Sequence, residues 1–206
     1  MSMLNRLMAI LMTAGNKEVF FKRIAEFYPS LDPRYQEILR AYEIAKEAFR
    51  NDIRDDGVQY FEHLRAVGLI TLYQRITDYE IIIAAILHDL VEDHPREWSI
   101  ERIRRELGER VALLVQYCSK PPLEECGGSK EEQDRIYHRR FAQAPREFFL
   151  IKLADRLHNV LTLNGCELEK RQRKIAETWQ YYMPYAEKHG ILYYELLDAL
   201  EMVKLS

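Results

Sequence analysis

The 206-residue sequence is poor in the residues that interrupt helices and cross-link small secreted folds. It has eight glycines and seven prolines, well below the roughly 12% that these two residues together make up in average proteins. Sandwiches, barrels and dinucleotide-binding sheets need many turns, so this shortage favours an all-α fold. The three cysteines, Cys118, Cys126 and Cys166, are too few and too scattered for a disulfide framework or a thiolate zinc site. Such cysteine usage is typical of a cytoplasmic protein.

Neither sign of charge dominates, and long apolar runs are missing. Lys and Arg number 30 against 33 Asp and Glu, for a net charge of −3. A nucleic-acid partner is therefore not expected, because such binders show a marked basic excess. No apolar run reaches the ~18 residues of a membrane span, so no membrane partner is expected either. The pattern gives no indication of an oligomeric state. With 48% hydrophobic residues, the chain has enough apolar surface for one core.

Capping residues and apolar spacing divide the chain into successive helices. Asp32-Pro33 begins one helix, and another begins near Tyr60. Asp78 precedes seven consecutive apolar residues, 81–87, which predict a helix buried on nearly all sides; a strand is the alternative for its isoleucine run. Further helices are predicted over residues 99–107, 109–118, 130–142, 146–163, 170–188 and 191–204.

Four ionisable side chains follow the most hydrophobic of these helices. On a continuous helix, His88 and Glu92 share one face, and Asp89 and Asp93 share the next. Charged groups on a buried helix cost several kcal/mol each, roughly, unless they are paired or bind a metal. An imidazole beside a carboxylate suits a divalent cation that accepts nitrogen and oxygen, such as manganese, iron or zinc.

Two ligands do not hold a metal, so others must come from elsewhere in the chain. The candidates are His63, on the preceding helix, and Asp155, which lies in a polar cluster after the apolar run 148–151. The four residues offer two nitrogens and two oxygens and leave positions open for water and substrate. Glu92 and Asp93 are then available as a general base. The plainer alternative is a surface His-Asp pair, with Asp155 and Arg156 in an interhelical salt bridge.

Three stretches of sequence carry a family resemblance. Residues 54–63 read Arg-Asp-Asp-Gly-Val-Gln-Tyr-Phe-Glu-His, and residues 86–93 read Ile-Leu-His-Asp-Leu-Val-Glu-Asp. Residues 152–162 read Lys-Leu-Ala-Asp-Arg-Leu-His-Asn-Val-Leu-Thr. Together they resemble the motifs of the hydrolase domain of RelA/SpoT enzymes, in the HD phosphohydrolase superfamily. The likeness covers roughly residues 40 to 200.

The resemblance implies a compact helical bundle of the HD type over residues 31–206. The apolar stretch near the N-terminus separately predicts a helical extension over residues 1–30. The resemblance also implies a stand-alone small hydrolase that removes the 3′-pyrophosphate of the guanosine alarmones ppGpp and pppGpp. One Mn²⁺ ion, or another divalent cation, would be bound by His63, His88, Asp89 and Asp155. Catalytic roles fall to Glu92 and Asp93. The nucleotide would be contacted by Arg54, Lys120, Asn159, Thr162 and Tyr182.

Two departures from the family pattern keep other substrates open. Asp55 stands where the family commonly has lysine, and Gln59 replaces a proline. Asp55 either hydrogen-bonds guanine or is a solvated loop charge. Alternative substrates are ppApp, NADPH and nucleoside monophosphates, and a catalytically inactive nucleotide- or protein-binding module is a third possibility. The complete ligand set with Glu92 and Asp93 favours an enzyme.

Overall fold

The computed structural model describes residues 3–13 and 17–204, and within these ranges the chain is helical and has no strand. An isolated antiparallel bridge joins Ile53 to Gln59. The predicted all-α class is confirmed. The helices are α1 (Met3–Thr13), α2 (Lys17–Ala25), α3 (Pro33–Ala48), α4 (Tyr60–Tyr73), α5 (Tyr79–Ile86), α6 (Leu90–Asp93), α7 (Ile100–Leu107), α8 (Glu109–Cys118), α9 (Lys130–Arg140), α10 (Arg146–Leu161), α11 (Leu168–Glu177), α12 (Met183–His189) and α13 (Tyr193–Lys204).

Side-chain caps fix where several helices begin. The Asp32 carboxylate accepts the Arg34 amide at 2.8 Å, directly before Pro33 at the first position of α3. The Asp78 carboxylate accepts the Glu80 amide at 3.0 Å, and α5 follows. These bonds satisfy amides that have no partner inside their own helix. The residues predicted as caps therefore begin the helices that they were expected to begin.

Helix α5 lies in the middle of the bundle. All of residues 81–86 are buried, and α3, α4, α8 and α10 pack around them. The isoleucine run is thus a buried helix and not a strand. α4 packs closely against α2 and α5 at Gly68, where an added Cβ would lie 3.1 Å from the Phe20 ring and 3.3 Å from Ile86.

The structure interrupts the helix that was predicted to continue through residues 88–93. α5 ends at Ile86, and α6 begins only at Leu90. In the turn between them the His88 ring donates from Nδ1 to the Ala85 carbonyl over 2.9 Å, which satisfies one of the carbonyls left free at the end of α5. His88 and Asp89 therefore lie in this turn, and they share no helix face with Glu92 and Asp93.

The predicted helix over residues 170–188 is also divided. Between α11 and α12 the backbone forms a π-helical segment, Thr178–Tyr182. Pro184 follows in the first turn of α12 and has no amide to donate, so the regular hydrogen-bond pattern cannot run through this point. The segment turns Tyr182 into the core, where 2% of its surface is exposed.

The N-terminal helices contribute to the same apolar core as the remainder of the bundle. Leu4 and Leu7 of α1 and Phe20, Phe21 and Ile24 of α2 are buried in it. α1 contacts α4 and α13. The division into residues 1–30 and 31–206 stays a prediction. In the described ranges no helix combines the length and the apolar character that a bilayer crossing requires.

The buried face of α1 gives a test of that division. Leu7→Ala should lower the free energy of unfolding by about 2–5 kcal/mol, because it empties a fully buried site in the shared core. Met12→Ala on the same helix is the control, since 83% of Met12 is exposed. Urea unfolding followed by circular dichroism measures both. If the extension is a separate unit, Leu7→Ala leaves the main transition unchanged.

Candidate active site

Three parts of the bundle bring the predicted metal ligands to one place. α4 supplies His63, the turn after α5 supplies His88 and Asp89, and the middle of α10 supplies Asp155. His63, His88 and Asp155 are buried, with at most 3% of each residue exposed, and 14% of the Asp89 side chain is exposed. Their convergence explains how a hydrophobic bundle accommodates four ionisable groups.

The donor atoms of these residues face one another at short range. His63 Nε2 lies 3.2 Å from Asp155 Oδ1 and 3.7 Å from Asp89 Oδ2. His88 Nε2 lies 3.0 Å from Asp89 Oδ2 and 3.6 Å from Asp155 Oδ1. Ligands bound at about 2.0–2.2 Å to one ion lie about 3–3.6 Å apart at bond angles near 90–109°. Three of the four spacings lie in that range, and the fourth, from His63 Nε2 to Asp89 Oδ2, is slightly longer.

The state of His88 supports a cation at this point. Its Nδ1 atom is used by the Ala85 carbonyl, and its Nε2 atom is buried without a hydrogen-bond partner in the described part of the chain. Asp89 Oδ2 lies 3.0 Å away, but it is not aligned with His88 Nε2 for a hydrogen bond. A cation between them would satisfy both the Nε2 atom and the carboxylate. His63, His88 and Asp155 together form a cluster whose geometry can hold a divalent metal ion.

Electrostatics at the cluster also call for positive charge. Burial alone would lower the pKa of His88, but the carboxylates of Asp89 and Asp155 outweigh it and raise that pKa to about 10. Burial likewise opposes ionisation of Asp155, yet Lys152 above all keeps its pKa well below the usual range. The site therefore attracts a cation, whether a proton or a metal ion.

Lys152 and His158, which had been given no role in the sequence, hold the ligands in place together with Asn159, which was predicted to contact the nucleotide. The Lys152 ammonium lies 2.8 Å from Asp155 Oδ2, and the Asn159 amide donates to Asp155 Oδ1 over 2.5 Å. His158 Nδ1 lies 2.9 Å from His63 Nδ1. Burial and then His63 keep the pKa of His158 well below its usual range, so His158 is neutral and can accept the His63 proton. That tautomer leaves His63 Nε2 free for a metal.

A sequence signal for these residues exists. Lys152, Asp155, His158 and Asn159 are spaced by three or four residues and therefore share one face of α10. Tyr60, one turn before His63, donates its hydroxyl to Asp89 Oδ2 over 2.8 Å. The identity of each partner, however, depends on which helices meet.

Glu92 and Asp93 lie beside the cluster on α6. The Glu92 carboxylate accepts the Lys120 backbone amide at 2.9 Å, and both acids are exposed on their outer sides. Partial burial, and then the carboxylates of Asp89 and Glu92, raise the pKa of Asp93 to about 7. The catalytic assignment of this pair stays a prediction.

A cavity of about 290 Å³ lies next to the metal cluster and contains three of the predicted nucleotide contacts. The Arg54 guanidinium donates to Asn159 Oδ1 over 2.9 Å and to Thr162 Oγ1 over 3.1 Å, and it lies 5.6 Å from the centre of the Tyr60 ring. The Arg54 Nε atom is buried without a hydrogen-bond partner in the described residues. Because Asn159 also bonds Asp155, the cavity and the metal cluster share one hydrogen-bond network.

The other two predicted contacts lie outside this cavity. Lys120 pairs with Asp134 at 2.6 Å and lines a second cavity, of about 580 Å³, together with Glu92. Tyr182 is covered by the Arg156 guanidinium, 3.8 Å from its ring centre, and touches Phe141. The Tyr182 ring is buried in the core. Its contact with a nucleotide stays a prediction.

Comparison with known proteins identifies the class of protein. The sequence model of the HD domain matches residues 41–192, so the chain belongs to the HD-domain family. A solved structure described as a metazoan ortholog of SpoT that hydrolyzes ppGpp superposes with a TM-score of 0.71 at 24% identity, over 81% of this chain and 94% of that one. It supports the HD-type helical fold.

Curated relatives narrow the resemblance further. The Escherichia coli bifunctional (p)ppGpp synthase/hydrolase SpoT is 33% identical over 78% of this chain and 23% of its own length. An Aquifex aeolicus guanosine-3′,5′-bis(diphosphate) 3′-pyrophosphohydrolase is 37% identical over 82% of this chain and 23% of its own. The chain thus spans about a quarter of these relatives. The RelA/SpoT-type resemblance seen in the motifs is confirmed.

His158 provides a test of the metal cluster. His158→Ala should weaken Mn²⁺ binding about 10- to 100-fold, because the proton that orients His63 loses its acceptor. His189→Ala is the matched control. It also removes an imidazole, but His189 stacks on Phe149 and Tyr185 and contacts none of the predicted metal ligands. Isothermal titration with Mn²⁺ measures both affinities. Wild-type affinity in His158→Ala would show that His158 does not position His63.

Proposed function

We propose that this protein is a metal-dependent hydrolase that removes the 3′-pyrophosphate of ppGpp and pppGpp. One water is consumed, and the products are GDP or GTP and pyrophosphate. The observation that carries the proposal is the hydrogen-bond chain from Arg54 through Asn159 to Asp155, which joins a cavity lined by cationic side chains to a cluster that can hold a metal ion. The names of the curated relatives support the same reaction.

The ion that we propose is Mn²⁺, bound by His63, His88, Asp89 and Asp155. Two imidazoles and two carboxylates form a mixed nitrogen and oxygen set that manganese accepts. A divalent cation in such a set supplies Lewis-acid chemistry, because it acidifies water and polarises a phosphoryl oxygen. Lys152 and Asn159 keep Asp155 ionised and correctly oriented. The Ala85 carbonyl holds the proton of His88 on Nδ1 and so leaves Nε2 to face the ion.

In the cavity, we assign the purine to Arg54. A guanidinium plane stacks on a purine face. Asn159 and Thr162 hold the guanidinium and so fix where the base lies relative to Asp155. Contacts of the substrate with Lys120 and Tyr182 remain part of the proposal.

Glu92 and Asp93 are assigned to the proton transfer. Glu92 is oriented by the Lys120 amide, and Asp93 changes protonation near neutral pH. A base of this kind orients the attacking water and takes its proton as the bond from the 3′ oxygen to phosphorus breaks. A catalytically inactive binding module has no need of this pair. We also propose that the protein acts in the cytoplasm, without a nucleic-acid or membrane partner.

Turnover of the alarmones tests the proposal directly. The purified chain with Mn²⁺ should release pyrophosphate from ppGpp and pppGpp, and EDTA should abolish the release until Mn²⁺ is restored. Product formation is followed by ion-exchange chromatography, with ppApp and NADPH as comparison substrates. Failure of the metal-loaded protein to hydrolyse either guanosine alarmone would overturn the proposal.

The catalytic pair provides the matched variants for this assay. Glu92→Gln should retain Mn²⁺ and still accept the Lys120 amide, yet lose roughly 10²- to 10⁴-fold in kcat, since only the basic carboxylate is removed. Glu97→Gln makes the same charge change at an exposed position between α6 and α7, and it should keep wild-type turnover.

Arg54 is expected to control substrate affinity and not the chemical step. Arg54→Ala should raise KM about 5- to 150-fold, which corresponds to about 1–3 kcal/mol of stacking, with little change in kcat. Arg54→Lys separates charge from stacking because lysine keeps the cation and lacks the plane. If Arg54→Lys retains the wild-type KM, Arg54 acts as a charge and does not stack on the base.

A further inference from the structure

The cavity beside the metal cluster is lined by three cationic side chains, and their partners differ in charge and in burial. The Arg54 guanidinium is held by neutral groups, those of Asn159 and Thr162. Lys174 lies 2.9 Å from Glu177, which is largely buried. The third cation, Lys170, pairs with Asp55 at the rim. Both partners of this third pair line the cavity.

The rim pair is open to solvent. About 41% of the Lys170 side chain and 52% of the Asp55 side chain are exposed. Lys170 belongs to α11, none of whose ten residues is buried. Exposed ion pairs of this kind contribute little to stability. A phosphate group can therefore replace the carboxylate on Lys170, because cation–phosphate contacts are strong charge-assisted hydrogen bonds.

The Asp55 carboxylate, however, cannot easily leave the rim. Its turn is closed by the Gly57 amide on the Arg54 carbonyl at 2.9 Å and by the Val58 amide on Asp56 Oδ1 at 3.0 Å. Gly165 packs so closely behind this turn that an added Cβ would lie 2.6 Å from the Asp56 Cβ. The Cys166 thiol also donates to Asp55 Oδ2 over 3.4 Å. A displaced carboxylate thus stays near the incoming phosphate and repels it.

We infer that Asp55 is a specificity-determining residue that competes with substrate phosphate for Lys170. It lowers the affinity of the cavity for a nucleotide, and the loss grows with the charge of the phosphate chain that reaches the rim. The inference rests on the proposed function for the use of the cavity by a nucleotide. It also gives Asp55 a role other than a hydrogen bond to guanine, because its carboxylate is already used by Lys170 and Cys166.

Binding of nucleotides that lack the 3′-pyrophosphate tests the inference without any hydrolysis. GTP, GDP and guanosine are titrated calorimetrically into the full-length chain at one fixed Mn²⁺ concentration in cell and syringe. Asp55→Asn should tighten GTP binding about three- to tenfold and GDP binding less, and guanosine binding should not change. Raising the ionic strength should shrink these gains, since the pair is exposed.

Two controls separate competition at Lys170 from a change in net charge. Glu169→Gln removes one carboxylate from an exposed position of α11 that does not line the cavity, and it should leave GTP affinity unchanged. In the Lys170→Gln background, adding Asp55→Asn should give no further tightening, because the contested cation is gone.

The outcomes distinguish this inference from the proposed function. Equal GTP affinity of Asp55→Asn and wild type overturns the inference, whatever the hydrolytic activity. Tighter GTP binding by Asp55→Asn supports it, even if the wild type fails to hydrolyse ppGpp and the proposed function falls. Failure of all three ligands to bind any variant overturns the inference, while the proposed function is decided by the hydrolysis of ppGpp and pppGpp.

Discussion

The buried carboxylate of Asp155 is the group around which this bundle is organised. An ionised carboxylate with 3% of its residue exposed costs several kcal/mol, roughly, unless hydrogen bonds and opposite charge surround it. Lys152 and Asn159 supply these from the same helix, and His63 and His88 approach from two other parts of the chain. The packing of α4, α5 and α10 is therefore tied to an electrostatic requirement as well as to apolar burial.

The same requirement connects the metal cluster to the cavity. Asn159 uses its amide nitrogen on Asp155 and its oxygen on Arg54. Because one side chain serves both groups, Asn159 fixes the position of the Arg54 guanidinium relative to a metal ligand. Hydrogen bonds in such a network reinforce one another where water is scarce. Substrate placement and metal geometry are thus properties of a single network.

Local patterns in the sequence were enough to predict the fold class and the beginnings of several helices. Asp32 and Asp78 cap helices because a short acceptor before an apolar run satisfies free amides whatever the tertiary context. The turn at His88 could not be predicted in this way, because an unbroken apolar run continues to Leu87 and predicts a longer helix. In the structure that helix ends at Ile86, and the His88 side chain bonds the Ala85 carbonyl of its last turn.

Partners distant in sequence were beyond local patterns. His158 meets His63 across 95 positions, and Asp55 meets Lys170 across 115. The spacing along α10 identifies the face that carries His158, but only the packing of α4 against it identifies the partner. Tyr182 was predicted from its motif to contact the nucleotide. The structure instead turns this side chain into the core through a π-helical segment that Pro184 follows two residues later.

The burial of each ion pair determines which charges in this site are free to change. The pair of Lys152 and Asp155 is almost completely buried, and removal of one partner would leave an uncompensated charge at a cost of about 3–5 kcal/mol. The pair of Asp55 and Lys170 is half exposed, and such pairs are worth about 0.2–1 kcal/mol. A substitution at the rim therefore alters the electrostatic environment of a ligand without threatening the fold or the metal ligands. The buried charges thus hold the metal ligands in place, while the exposed charges at the rim of the adjoining cavity are free to change.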